Sequence, residues 1–170
     1  MAAPRLIVVM GVSGSGKTTL ARVLAERLGW RMVDADDFHS AEAVARMHRG
    51  EPLTDAMREP WMRRLLDQLA VYAAAGHDCV LAWSGLRRAH RDRVRALPME
   101  VRLVLLHADA AVLLERLAAR GDHFMPPSLL QSQLDAFEPV GADEHVHVLD
   151  ATSPPDVLGD AVIRSIDAHA

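Results

Sequence analysis

Residues 11–18 read Gly11-Val12-Ser13-Gly14-Ser15-Gly16-Lys17-Thr18, which fits the pattern G-x-x-x-x-G-K-[ST]. Each residue type has a chemical reason. Glycines let successive backbone N–H groups turn toward one anion with no Cβ in the way. A helix that starts at the end of the loop adds the positive end of its dipole. In such a loop the lysine reaches the β- and γ-phosphates, and the hydroxyl after it ligates Mg²⁺. Gly11, Ser13, Gly14, Ser15, Gly16, Lys17, Thr18 and Thr19 are therefore expected to hold a nucleoside triphosphate, with ATP and Mg²⁺ as the expected ligands.

Two further groups of residues could do chemistry. Asp34-Ala35-Asp36-Asp37-Phe38-His39 follows a short apolar run. Carboxylates there could hold water-bound Mg²⁺ or accept a proton from a substrate hydroxyl. Arg87, Arg88, His90, Arg91 and Arg93 could together clamp an anionic substrate. Arg58 sits in the first turns of a helix, where the dipole does not favour a cation, so its placement hints at another role. Gly121-Asp122-His123-Phe124-Met125-Pro126-Pro127 interrupts the helical pattern near Arg116 and Arg120. It reads as a lid over the phosphates. His145-x-His147 puts two imidazoles on one strand face, too few for a zinc site.

The elements that must carry these residues follow from periodicity. Leu6–Met10, 31–34, Cys79–Trp83, Val101–Leu106 and Val146–Leu149 read as strands. Leu20, Val23, Leu24 and Leu28 recur at helical spacing before the stop at Gly29. Residues 40–50 form a short helix, and a cap at Thr54 or Asp55 opens a long one reaching about Ala75. Its apolar stripe is Trp61, Leu65, Leu66 and Leu69. Further helices cover 110–119, about 129–137 and 157–166. Alternation of strands with helices predicts an α/β fold, a five-stranded parallel sheet with helices on both faces. Loops leaving the carboxyl ends of the strands should then gather the ligand.

Length and composition bound the rest. The chain has 170 residues, which suggests one domain over 1–170. A net charge of −4 argues against general nucleic-acid binding. Cys79 is the only cysteine and lies in an apolar run, so it reads as a buried thiol in a reducing, cytoplasmic protein. No apolar run approaches the ~18 residues of a membrane span, and no secretory leader is expected. A small-molecule substrate is the expected partner.

Taken together these stretches resemble the gluconate kinase family of small phosphate-loop kinases. The resemblance rests on residues 11–18, on Asp34-Ala35-Asp36-Asp37-Phe38-His39 and on Gly50-Glu51-Pro52-Leu53-Thr54-Asp55. Arg58 with Pro60-Trp61, Ser84-x-Leu86-Arg87 and Arg91-Asp92 continue it. His123-Phe124-Met125-Pro126 and Ser128-Leu129-Leu130-x-Ser132-Gln133 complete it. It implies a nucleoside-monophosphate-kinase-like fold with an acceptor region at about 37–62 and a small lid at about 120–135. It implies phosphorylation of D-gluconate on its 6-hydroxyl by Mg-ATP in the cytoplasm, and commonly a homodimer. The residues fit this chemistry: Asp34 could position metal-bound water and Asp36 could orient or deprotonate the attacking hydroxyl, and by similarity to related small kinases Arg116 or Arg120 closes on the transferring phosphate. His39, Arg58, Ser84, Arg87, Arg91 and His123 face the sugar acid, and Thr152 with its neighbours borders the adenine. Trp83 stands where the family usually has Cys and is expected to narrow or reshape the sugar pocket, with Gly85 relieving the crowding. The residues alone also admit a kinase of this fold with another sugar-acid or polyol acceptor, and a non-catalytic ATP-binding regulator.

Overall fold

The computed structural model describes residues 2–119 and 128–169. Five parallel strands form one sheet in the order β2-β3-β1-β4-β5. β1 (Arg5–Met10) is central, between β3 (Cys79–Trp83) and β4 (Glu100–His107). β2 (Arg31–Asp34) and β5 (His147–Asp150) are the edges. The unbroken apolar run Leu6–Met10 reflects cover on both faces: each of its residues is at most 1% exposed. Leu6, Val8 and Met10 join one core with Trp61, Met62, Leu65 and Leu69 of α3 (Asp55–Ala74). Ile7 and Val9 join the other with Leu20 and Leu24 of α1 (Lys17–Leu28) and Leu158 and Val162 of α7 (Pro155–Asp167).

Local chemistry sets the helix ends. Ser40 caps α2 (Ala41–His48) by accepting the Ala43 N–H at 3.1 Å. Thr54 caps α3 by accepting the Met57 N–H at 3.2 Å. Such caps contribute about 1 kcal/mol each. A third cluster, Val12, Leu113, Leu117 and Leu130, seats α5 (Ala110–Ala119) and α6 (Ser128–Ala136) on the loop after β1. α4 (Arg88–Arg95) follows β3. The chain thus leaves β1, β2 and β3 at one edge of the sheet, where a crevice forms.

The structure corrects several details. The helix expected over 40–50 is shorter, and a separate 3-10 turn covers Ala35–Phe38. His145 is exposed, has φ 51° and precedes β5, so it does not share a strand face with His147. Trp83, expected at the pocket, is not among the residues that line the cleft beside Ser84 and Leu86. It is 1% exposed and shares the α3-side core with Cys79 and Leu81. Of the lid expected at about 120–135, residues 128–135 belong to α6, where Leu129 and Leu130 are buried. Residues 120–127 lie outside the described ones.

Gly85 has a cause other than Trp83. Its φ is +62°, and a Cβ there would stand 2.5 Å from Met10 Sδ. Gly85→Ala should therefore cost roughly 1–3 kcal/mol through left-handed strain and the Met10 contact. Urea unfolding measures this, and a variant as stable as the parent would remove the backbone argument.

Candidate active site

One cleft at the carboxyl edge is lined by Lys17, Asp36, His39, Arg58 and Ser84, with Trp61 and Leu86 among its apolar walls. Three strand ends bring these residues together. The loop after β1 delivers Lys17, the turn after β2 delivers Asp36 and His39, and the segment after β3 delivers Ser84.

The phosphate loop is built for an anion. Gly16, the residue before α1, has φ 93° and makes no side-chain capping bond, so the start of the helix faces the crevice without a cap. The Ser15 hydroxyl is buried and has no hydrogen-bond partner. Arg116 braces the loop from outside. Its guanidinium donates to the Gly14 and Ser15 carbonyls, each at 3.3 Å, and to the Ala151 carbonyl at 2.6 Å. A second groove on this side is lined by Gly14, Gly16, Thr19, Arg116, Ala151 and Ser153. Thr152 is not among its walls. That hydroxyl donates to Asp150 at 2.6 Å, and only the neighbours of Thr152 face the groove.

Helix α3 clamps the acidic turn. The Trp61 indole N–H donates to the Ala35 carbonyl at 2.6 Å, and Arg64 donates to the Phe38 carbonyl at 2.8 and 2.6 Å. Inside the turn, Asp34 accepts the Asp36 N–H at 3.0 Å. Burial is the main influence on the Asp34 carboxyl and raises its pKa. The Asp36 N–H bond and the charges of Lys17 and Arg22 oppose it without cancelling it. His39 stacks on Trp61 with ring centroids 4.2 Å apart, and its Nε2 lies 3.7 Å from an Asp36 oxygen. Its side chain is 3% exposed. Burial, aided by Arg64 and Arg58, lowers its pKa to about 4, so the imidazole is neutral at neutral pH.

The cationic stretch divides. Arg58 lies 3.0 Å from an Asp55 oxygen, and Arg87 lies 3.7 Å from the same oxygen and 3.7 Å from Glu138. This pair of cations stands beside the cleft. Arg88 pairs with Asp92 and Asp143, and Arg93 with Glu59. Arg91, expected to meet the substrate, points inward and is 0% exposed. It donates to Glu144 at 2.7 and 3.1 Å, to the Gly85 and Leu86 carbonyls at 2.8 and 3.2 Å and to Pro139 at 3.4 Å. Its guanidinium is spent on structure, and no face is left for a ligand. Arg120 and His123 lie outside the described residues.

Sequence reasoning gave no site role to two side chains. Glu144 gave no local signal. Gln133 did: Leu129, Ser132 and Gln133 fall at i, i+3 and i+4 of α6 and line the cleft together. The Gln133 carboxamide oxygen accepts the Ser13 N–H at 2.7 Å.

Two outcomes follow from these contacts. Arg91→Ala should destabilise by about 2–4 kcal/mol, because the buried Glu144 carboxylate loses two hydrogen bonds and keeps only Arg88 at 3.2 Å and the Gly141 N–H at 2.9 Å. Chemical unfolding reads this, and a loss below about 1 kcal/mol would contradict the assigned burial. His39 has a folded pKa below its unfolded value. It therefore stabilises the fold fully above about pH 6.5 and loses that contribution as pH falls toward 4. Unfolding free energies of wild type and His39→Gln should converge across that window. A constant difference would remove the buried neutral imidazole.

Comparison with known proteins agrees with this architecture. An AAA domain family model matches residues 6–140. A gluconokinase of Gluconobacter oxydans is 43% identical, over 98% of this chain and 93% of its own. The crystal structure of a sugar kinase from Janibacter sp. superposes with a TM-score of 0.91 at 44% identity, covering 96% of this chain and 95% of that one. A gluconokinase from Sinorhizobium meliloti gives 0.79 at 36% identity, covering 94% and 90%. No described helix is long and apolar enough to cross a membrane. With the phosphate loop, the clamped acidic turn and this identity over nearly its whole length, the chain belongs to the gluconokinase family.

Proposed function

We propose that the protein transfers the γ-phosphoryl group of ATP to the 6-hydroxyl of D-gluconate, giving 6-phospho-D-gluconate. The observation that carries this reading is the shared cleft of Lys17, Asp36 and Arg58. In this reading the ammonium of Lys17 serves the phosphates, the carboxylate of Asp36 serves as base and the guanidinium of Arg58 serves the substrate carboxylate, around one small volume. Phosphoryl transfer needs mainly positioning and charge stabilisation.

The uncapped start of α1 and Lys17 hold the β- and γ-phosphates. The hard oxygen donors Thr18 and Asp34 suit Mg²⁺, which takes few protein ligands beside phosphates and water. When bound, the ion supplies charge neutralisation. Asp36 orients the attacking hydroxyl and takes its proton onto the carboxylate. The neutral imidazole of His39 and the Ser84 hydroxyl hydrogen-bond the sugar hydroxyls. Arg58 and Arg87, already gathered on Asp55, exchange that carboxylate for the substrate's. Arg116 or Arg120 stabilises charge on the transferring group, and His123 completes the acceptor contacts. ATP is a cytoplasmic solute, and the cytoplasm is the proposed setting. Homodimerisation is proposed from the family resemblance alone.

A coupled assay of ADP release from Mg-ATP tests the reading against D-gluconate, related sugar acids, shikimate and nucleoside monophosphates. Gluconate should give strong release. Lys17→Ala should abolish it with the fold intact, and Asp36→Asn should lower kcat roughly 10²–10⁴-fold at saturating substrates. Release with another acid alone would move the specificity. No release with any acceptor, despite ATP binding, would favour a regulator.

A further inference from the structure

Helix α6 touches both halves of the active site. Gln133 and Ser132 line the acceptor cleft together with Lys17 and Asp36. The Gln133 carboxamide oxygen also accepts the Ser13 N–H, in the phosphate loop 120 positions away, at 2.7 Å. Leu130 of the same helix packs with Val12 of that loop and with Leu113 and Leu117. At the helix start, Ser128 Oγ would stand 2.8 Å from a Cβ on Gly50, so α6 also abuts the turn after α2 on the acceptor side. One helix face therefore spans the loop that holds phosphate and the wall that meets the acceptor.

We propose that Gln133 is a positioning residue that couples the two binding events. The proposal rests on the reading of this cleft as the acceptor site. Gln133 is a long side chain whose rotamer freedom is lost when it is fixed. The carboxamide already accepts the Ser13 N–H at 2.7 Å, and an acceptor seated against Gln133 adds a contact that strengthens that hold. The fixed carboxamide then holds the Ser13 backbone in the conformation the nucleotide needs. The reverse order does the same for the acceptor, since binding linkage is reciprocal. A purely structural polar contact would leave the two affinities independent.

The test is calorimetric titration of the intact protein with a non-hydrolysable ATP analogue and Mg²⁺, with and without saturating D-gluconate. Wild type should bind the analogue about tenfold more tightly in the presence of gluconate, within the usual range of coupling. Gln133→Leu should reduce that ratio to under about twofold, and it should also weaken the analogue bound alone, since the Ser13 N–H loses the carboxamide acceptor. In steady-state kinetics the KM for each substrate should then no longer depend on the concentration of the other. If Gln133→Leu does not fold, Gln133→Asn replaces it. Asn keeps the carboxamide but withdraws its oxygen from Ser13, and it too should lose the coupling. A wild-type ratio under twofold, or either variant with the wild-type ratio, overturns the proposal. Failure of the functional reading looks different: wild type would give no ADP release with gluconate. The titrations would then be run with the acid that does support release.

Discussion

Helix α1 begins without a side-chain cap, at a glycine whose backbone is left-handed. Orphan N–H groups at such an end cost free energy unless something outside the helix accepts them. The rest of the catalytic edge is arranged around that unmet demand. Arg116 takes the outward carbonyls of Gly14 and Ser15, and Gln133 takes the Ser13 N–H. Val12 is buried against Leu113, Leu117 and Leu130. The loop is thus held by its back and sides, and its inner donors are kept for phosphate. Lys17, the only lysine in the chain, stands at the same point.

The half of the edge that carries the acidic turn is held by other means. Trp61 and Arg64 reach from α3 to the carbonyls of the turn that carries Asp34 and Asp36. The segment after β3 is pinned from below, because Arg91 binds the Gly85 and Leu86 carbonyls while Glu144 neutralises it. A buried ion pair of this kind adds little net stability but is costly to break. Its effect here is positional, since Ser84 and Leu86 of that segment face the cleft. Closely spaced arginines thereby do different work: Arg87 stands beside the cleft, Arg88 and Arg93 are on the surface and Arg91 is in the interior.

Legibility in the sequence followed the range of the interaction. The phosphate loop could be read because its residue types are themselves the chemistry. β1 could be read because burial on both faces leaves an unbroken apolar run. The inward turn of Arg91 could not be read, since Glu144 lies 53 positions away and nothing local marks which arginine it receives. Only the buried Val94, one turn further along α4, hints at that face. The place of Trp83 was available and overlooked. It alternates with Cys79 and Leu81, and strand period alone puts all three toward α3. His145 left no pattern, because a lone left-handed residue before a strand has no periodicity.

The stacking of His39 on Trp61 has an optical consequence. The chain contains three tryptophans. Trp30 carries the Arg5 guanidinium 4.5 Å from its ring centroid and sits just before β2, at the opposite edge of the sheet. Trp83 is sealed in the core. Only Trp61 among them lines the cleft. An acceptor that displaces water from that wall changes the surroundings of one indole and leaves the other two as a constant background. On the proposed reading of this cleft, the protein therefore carries its own fluorescent reporter of occupancy, with no label attached.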